Sequence, residues 1–420
     1  MAISAPKNKF CKALKHLALG LLLACVGCGP KADPPLRITT GDSGPGLIPH
    51  RQILAKLEAS RPGLRLQLEP VSGGDYYTRL LTELASDTPP DILQIGDDAL
   101  GMFASRGCLL ELPEPPANQF FPTLVAPGRS SGKLYALPKD YSTLAVYLNA
   151  RLFREAGLAV PNGAWSLEEM LLLSRRLTTE KQFGVVLPGV KGATLEWLTM
   201  LYGGSLFDAE HETYLGAIDG PASRKALALM QSLYRDKITP LPSELGSYTG
   251  GIVDFEEGRA AMKIGGHWHL AALRDNPAVD LVVIRLPSYQ GRRTNLLHWA
   301  GLAVASRSQR RSEALEVLQA YCGPTGSEAF SKWALPAVPA VAASSGLSQD
   351  PLEKVWLDEL DHVKPRAYQA DPFWAQVGGP AVSRLHEAVV VESGLDIERW
   401  SAQVASQAQA LRVQRQRELP

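Results

Sequence analysis

The chain has 420 residues, 45% hydrophobic and 20% charged, with 43 basic and 43 acidic side chains and a formal net charge of zero. This is ordinary globular composition, long enough for two hydrophobic cores. The charge balance excludes the broad basic surface that would recommend DNA or RNA as a partner.

At the amino terminus Lys7, Lys9, Lys12 and Lys15 stand without an acidic residue before the run LALGLLLACVG. That run has about the length of a signal-peptide core and is too short to cross a bilayer as a stable helix, so it is read as an export signal. LLAC, ending at Cys25, and CVGC, ending at Cys28, each resemble in part a bacterial lipoprotein processing site, where the cysteine receives lipid and becomes the first mature residue. Gly27 and the polar residues that follow make Cys28 the first choice, and Leu22 makes Cys25 the second. The alternatives are an ordinary cleaved secretory peptide and a CxxC redox pair, which has no partner ligands downstream. Residues 1–27 are expected to be the signal peptide and 28–35 a tether. No later apolar segment approaches a membrane span, leaving the lipid as the expected attachment. Cys108 and Cys322 then remain, as one disulfide or as two buried thiols.

LRITTGDSG predicts an alternating strand that ends in glycines, LIPHRQILAKLEASRPG a helix stopped by Pro62 and Gly63, and LRLQLEPV a second strand. DYYTRLLTELAS follows as an amphipathic helix and PPDILQIG as a strand opening into Asp97 and Asp98. Alternation of this kind predicts parallel pairing through right-handed crossovers, with ligand loops at the carboxyl ends of strands, here GDSGPG and GDD. KLYALPKDYSTLAVYLN reads as two extended segments broken near Pro138 to Tyr141. SLEEMLLLSRRL is a helix whose Ser166 and Glu169 fit a capping box. FGVVLPG is a strand, and TLEWLTMLYG, PASRKALALMQSLYRD and VDFEEGRAAM are helices. KIGGHWHLAAL and VDLVVIRLPS read as strand-to-helix and strand, GLAVAS as a strand and RRSEALEVLQAYCG as a helix. The tail from Pro351 is mostly helical, with RVQRQRELP expected to fray.

The ordered segments GDYYTRLLTELASDTPPDILQIGDDALGMFASRGCLLEL, LPKDYSTLAVYLNARLFREAGLAVPNGAWSLEEMLLLSRRLT, VDFEEGRAAMKIGGHWHLAAL and LLHWAGLAVAS resemble bacterial extracellular solute-binding proteins of carbohydrate ABC importers, the maltose-binding type. The most specific element runs through Tyr147, Asn149, Leu152, Phe153, Ala156, Gly157, Leu158, Pro161, Trp165, Ser166 and Glu169. The resemblance covers residues 36 to 400 and implies an α/β, two-lobed periplasmic-binding-protein fold with discontinuous lobes and the ligand cleft between them. It implies an amino-terminal lobe of 36–139 plus 299–345, a carboxy-terminal lobe of 140–298 plus 346–410, and crossings at LPKDYSTLAVY and LLHWAGLAV. It further implies a monomer that delivers its ligand to ABC permease subunits, with no cofactor and no catalytic role.

A sugar presents hydroxyls around its rim and weakly apolar faces, so its pocket needs aromatic platforms with fixed donors and acceptors. Trp197, Trp268 and Trp299 stand where the resemblance places cleft residues, and Trp374 matches a late aromatic from the second lobe. Trp165 is assigned to core packing. Asp97 and Asp98 are candidate hydroxyl acceptors, one of which could instead cap a helix beginning near Ala99. Asp140 and Tyr141 sit at the expected crossing, Glu196 beside Trp197, and Asp75 and Tyr76 before a helix. Carboxylates without a basic cluster favour a neutral carbohydrate, since Arg79, Lys139 and Arg366 are scattered in sequence and a phosphate-bearing ligand would prefer them gathered.

Three other classes compete. A glycerol phosphate or a peptide would suit the same fold, and a sugar-active enzyme would use a carboxylate pair drawn from Asp97, Asp140 and Glu196. His267, His269 and His298 lack a cysteine or carboxylate at metal-ligand spacing. No GxSxG, phosphate loop or HExxH occurs.

Overall fold

The computed structural model describes residues 34–418, apart from 72–75, 189–191, 243, 245–250, 365, 367–368 and 370. Cys25, Cys28 and Asp75 lie outside the described residues. Among the described residues no helix is long and apolar enough to cross a membrane.

Strand β1 (Leu36–Thr40) buries Leu36 and Ile38 completely. Helix α1 (Leu47–Ser60) sets Ile53, Leu54 and Leu57 one turn apart on one face and leads into β2 (Leu66–Pro70). Helix α2 (Tyr76–Ala85) then leads into β3 (Ile92–Gly96), which runs directly into α3 (Asp97–Ser105). β1 lies between β2 and β3 and is parallel to both, as the crossovers predict.

Strands β4 (Ala136–Ser142) and β5 (Leu144–Asn149) follow with Thr143 alone between them. Helices α4 (Leu167–Leu177) and α5 (Ala193–Leu201) flank β6 (Phe183–Val186), and α6 (Pro221–Arg235) precedes β7 (Ala260–Gly266) and β8 (Leu281–Ile284). The chain continues through β9 (His298–Val304), α7 (Arg311–Cys322), β10 (Leu335–Pro336), α8 (Gly378–Val391) and α9 (Ile397–Arg417). The first sheet has the order β10-β4-β9-β3-β1-β2 and the second β8-β5-β7-β6. β4 and β5 are therefore consecutive strands in different sheets, and β9 and β10 return late in the chain to the first. Two buried apolar clusters fill the interior: Leu36 to Leu360 packs the first sheet and takes Ala145, Tyr147 and Val283 from one face of the second, and Leu144 to Ala408 packs the second. The molecule is a two-lobed α/β fold with discontinuous lobes.

The structure departs from the sequence reading at three places. β4 does not break at Pro138; it runs through to Ser142, with a register shift between Ala300 and Gly301 of its partner β9 leaving Lys139 as an extra residue. A bulge tolerates the missing proline N–H, which is why the strand survives. The helix expected over VDFEEGRAAM spans only Ile252–Glu256, and Ala260 already begins β7, whose seven residues are all buried, Lys263 among them. The tail remains helical to Arg417, because buried Arg412 is held by Asp371 at 3.1 Å and Glu212 at 3.0 Å. Of the two alternatives open for Cys108 and Cys322, the structure has free thiols, Cys322 buried and Cys108 half-buried. Ser166 does cap α4, its Oγ accepting from the Glu169 N–H at 3.1 Å.

Leu302, fully buried on β9 between β3 and β4, should be the costliest kind of core truncation. Leu302→Ala is expected to destabilise the protein by about 2–5 kcal/mol in urea unfolding, from lost burial and the residual cavity.

Candidate functional site

The carboxyl ends of β1 and β3, the bulged part of β4 and the start of β9 converge where the chain passes between the sheets. From the other side come the end of β7, the first turn of α5 and the segment before α8. Together they enclose a cavity of about 640 Å³ lined by Asp97, Asp98, Glu196, Arg366, Trp374 and the Tyr76–Tyr77 pair, among others. A second cavity of about 330 Å³, bounded by Lys139, Asp140, Trp268 and Trp333, shares Asp42, His298, Trp299 and Ala300 with it. The two form one continuous trough.

Its polar walls are built from two buried cations, each held between two carboxylates. Lys139, the bulge residue, places Nζ 2.8 Å from both Asp42 and Asp140 and 4.4 Å above the Phe330 ring. Burial alone would depress this ammonium, but Asp140 and Asp42 hold its pKa above the ordinary lysine value. Burial likewise opposes ionisation of Asp42, yet Lys139 and His50 outweigh it and keep the carboxyl well below the usual range. His50 Nε2 lies 2.7 Å from Asp42, and the Tyr321 hydroxyl meets its Nδ1. Burial lowers the His50 pKa and so keeps the ring neutral, and the arrangement that satisfies both contacts has Nε2–H donating to Asp42 and the Tyr321 O–H donating to Nδ1.

Arg366 is the second cation, with Nη2 3.0 Å from Glu196 and Nη1 3.6 Å from Asp97. Gln369 Nε2 donates to Asp97 at 2.9 Å. Burial pushes the Glu196 carboxyl up to about 7 against the pull of Arg366, with Asp97 adding repulsion. Asp98 opens to the cleft but lies deep among protein groups, and desolvation plus Asp97 raise it to about 6. Helix α3 starts at Asp97, so neither aspartate caps a helix at Ala99; both sit in the first turn, where the helix dipole favours negative charge.

The aromatic candidates divide. Trp268 is 44% exposed, its Nε1 donating to His269 Nε2 at 3.1 Å and its ring edge-on to His298 at 5.1 Å. Trp299 and Trp374 line the trough with one face while remaining about 5% and 6% exposed. Trp299 also belongs to the first core and donates to the Leu124 carbonyl at 2.9 Å. Each of the three indoles lies on a glycine. A Cβ at Gly266, Gly301 or Gly378 would come within 2.1, 2.1 and 2.2 Å of Trp268, Trp299 and Trp374 respectively.

Trp197 is fully buried in the second core and lines neither cavity. Its neighbour Glu196 reaches the trough instead, because consecutive helical residues point about 100° apart. Tyr141 is 1% exposed and borders the smaller cavity. Tyr76 donates to the Gln94 carbonyl at 2.7 Å and borders the larger one. Among the residues thought scattered, Lys139 and Arg366 meet the trough whereas Arg79 stays on the α2 surface with Glu83 at 2.7 Å. Sequence reasoning did not single out Asp42, Tyr77, Gln94 or Trp333. The GDSGPG loop pointed to Asp42, but nothing local marks the other three. His267 is bound to Glu353, and no group of three metal-ligating side chains occurs among the described residues.

Two lobes with an aromatic, carboxylate-lined trough at their crossings define a protein built to enclose a ligand. The family model for bacterial extracellular solute-binding proteins matches residues 52–354, and the chain belongs to that family. It is 23% identical over 284 residues to the diacetylchitobiose binding protein DasA of Streptomyces coelicolor, covering 63% of this chain and 64% of that one. Binding proteins of Brucella abortus and Brucella suis are 25% identical over 261 residues, covering 58% of this chain. The matched region spans about 62% of those relatives' length. The fold is similar to the Listeria monocytogenes ABC substrate-binding protein Lmo0181 in complex with cycloalternan, with TM-score 0.79, 18% identity and coverage of 89% and 97%. It is also similar to UgpB of Mycobacterium tuberculosis in complex with glycerophosphocholine, with TM-score 0.78, 20% identity and coverage of 91% and 99%.

Trp268→Ala is expected to weaken ligand binding by about 1–3 kcal/mol in calorimetric titration with the melting temperature little changed. Trp299→Ala should weaken binding and also lower the melting temperature, because that ring is part of the core. A carboxyl whose folded pKa exceeds its unfolded value is bound best uncharged, so its stability contribution is intact below the unfolded pKa and lost as pH rises through the folded one. For Glu196 the window runs from 4.5 to about 7. Melting curves across it should show Glu196→Gln gaining on the wild type as pH rises, with the difference complete above that range.

Proposed function

We propose that this protein is the substrate-binding component of an ABC importer, capturing a neutral sugar or oligosaccharide, or a glycosylated polyol, and delivering it to the membrane permease. The observation that carries the reading is the trough itself: indoles seated on glycines beside carboxylates already neutralised in part by buried cations. Aromatic faces suit the C–H faces of a sugar, and the carboxylates accept its hydroxyls in charge-assisted bonds. Relatives in complex with cycloalternan, and one named for diacetylchitobiose, support a saccharide. The ligand contacts we assign are Tyr76, Asp97, Asp98, Asp140, Tyr141, Glu196, Trp268, Trp299 and Trp374, with Asp75 retained from the sequence alone.

The same reading makes 36–139 plus 299–345 one lobe and 140–298 plus 346–410 the other, hinged where short segments cross. Ligand contacts from both sides then favour a closed form, and the population shifts by the ligand's preference for it. We further propose lipidation at Cys28, with Cys25 as second choice, holding the protein at the extracytoplasmic face of the cell membrane or in the periplasm.

A thermal-shift panel of sugars, glycosylated polyols, glycerol phosphates and peptides tests the ligand class, since a molecule that binds only the folded state raises the melting temperature. A saccharide is expected to give the largest rise. Peptides or glycerol phosphates alone doing so would overturn the reading, as would turnover of the saccharide during incubation. Small-angle scattering should show compaction at saturating ligand.

A further inference from the structure

Beyond Glu196 and Leu206 the trough opens into a third recess, of about 280 Å³, walled by the Gly203–Leu206 loop, Arg292, Arg293, Thr294 and Lys364. Its charges differ from those of the trough. Glu196 at the junction is committed to Arg366, and Arg293 to Glu359 and to His362 at 2.7 Å. Arg292 and Lys364 have no ion-pair partner among the described residues and are both exposed to the recess side of the surface. The Arg292 guanidinium lies over Gly203, where φ is +92° and a Cβ would stand 3.2 Å from Nη2, so a glycine there lets the fork lie flat on the loop. Thr294 is only 4% exposed, and its Oγ1 is buried with no hydrogen-bond partner among the described residues. The hydroxyl is closed off from solvent, so an acceptor in the recess would meet it after a turn of the side chain about χ1 and would then remove the cost of leaving it without a partner.

We propose that this recess is an oxyanion subsite that takes a carboxylate, phosphate or sulfate group. Arg292 supplies a planar two-donor fork, Lys364 a point charge and Thr294 a buried hydroxyl donor, which together match the oxygens of such a group. The anion is either free in solution or carried at the end of the saccharide that fills the trough, in which case the ligand is neutral along the trough and acidic at one end, which narrows the neutral saccharide proposed above. Only the second source rests on the saccharide reading above.

The test titrates the full chain with inorganic phosphate by calorimetry, alongside Arg292→Gln/Lys364→Gln and Thr294→Val. Saturable binding is expected, weakened about tenfold in the double variant, weakened also by Thr294→Val, and reduced by added salt. A glucuronate-terminated disaccharide and its glucose counterpart, compared by thermal shift, separate the sources. Preference for the acidic sugar that disappears in the double variant assigns the anion to the ligand, and equal shifts with phosphate still bound assign it to free ion. Absence of both phosphate binding and acidic-sugar preference overturns the proposal, as does phosphate binding unchanged in the double variant. Failure of both disaccharides to shift the melting temperature would count against the saccharide reading and leave the phosphate result standing. If Thr294→Val fails to fold, the two exposed side chains still decide the matter.

Discussion

The antiparallel pairing of residues 136–142 with 298–304 is the contact on which the rest of the molecule hangs. Both strands belong to the first sheet, and both connect to the second lobe at the same end. One passes through Thr143 into Leu144, and the other arrives through Asn295 to Leu297. Asn295, fully buried, ties the crossings together: its Oδ1 accepts from the Leu144 N–H at 2.9 Å and its Nδ2 donates to the Leu144 carbonyl at 2.7 Å and to Glu359 at 2.8 Å. Thr143 in turn donates to the Trp356 carbonyl at 3.2 Å. Backbone that changes sheets must leave its ladder, and these side chains satisfy the polar groups this would otherwise orphan.

Because both strands cross at one point, the residues at their ends are gathered whether or not they are close in sequence. Asp140 and Trp299 come from the crossing strands themselves, and Asp42 and Asp97 from the ends of neighbouring parallel strands. The two buried cations then organise the carboxylates. An isolated buried lysine or arginine would be costly, and each is tolerable here because two acids share it. The result is a wall of acceptors in which two cations offset part of the carboxylate charge, held in place by buried ion pairs.

The bulge at Lys139 shows how little of this is local. Pro138 reads as a strand breaker, and in isolation that reading is sound. In the sheet it is absorbed by a register shift against Ala300 and Gly301, and the extra residue is the one whose ammonium joins Asp42 to Asp140. Likewise the glycines beside Trp268, Trp299 and Trp374 stand in the chain without any local mark of their use, since serving as seats for indoles depends on contacts that only folding creates.

Alternation in LRITT and LRLQLEP, the helical spacing of α1 and α2, the Ser166 cap and the order of the family segments were all legible in the chain, because each depends on neighbours within a few residues or on a pattern preserved along it. That was enough for an α/β fold of two discontinuous lobes and for the GDSGPG, GDD, Asp140 and Trp299 regions of the trough. The chain did not reveal which of Glu196 and Trp197 faces the trough, why Arg366 belongs with Asp97 and Glu196, or that Trp333 and Tyr77 line cavities with residues a hundred positions or more away. Those facts depend on helix rotation and on packing across large sequence separations. A side chain's direction is decided by the elements its own element packs against, and the tertiary structure alone supplies them.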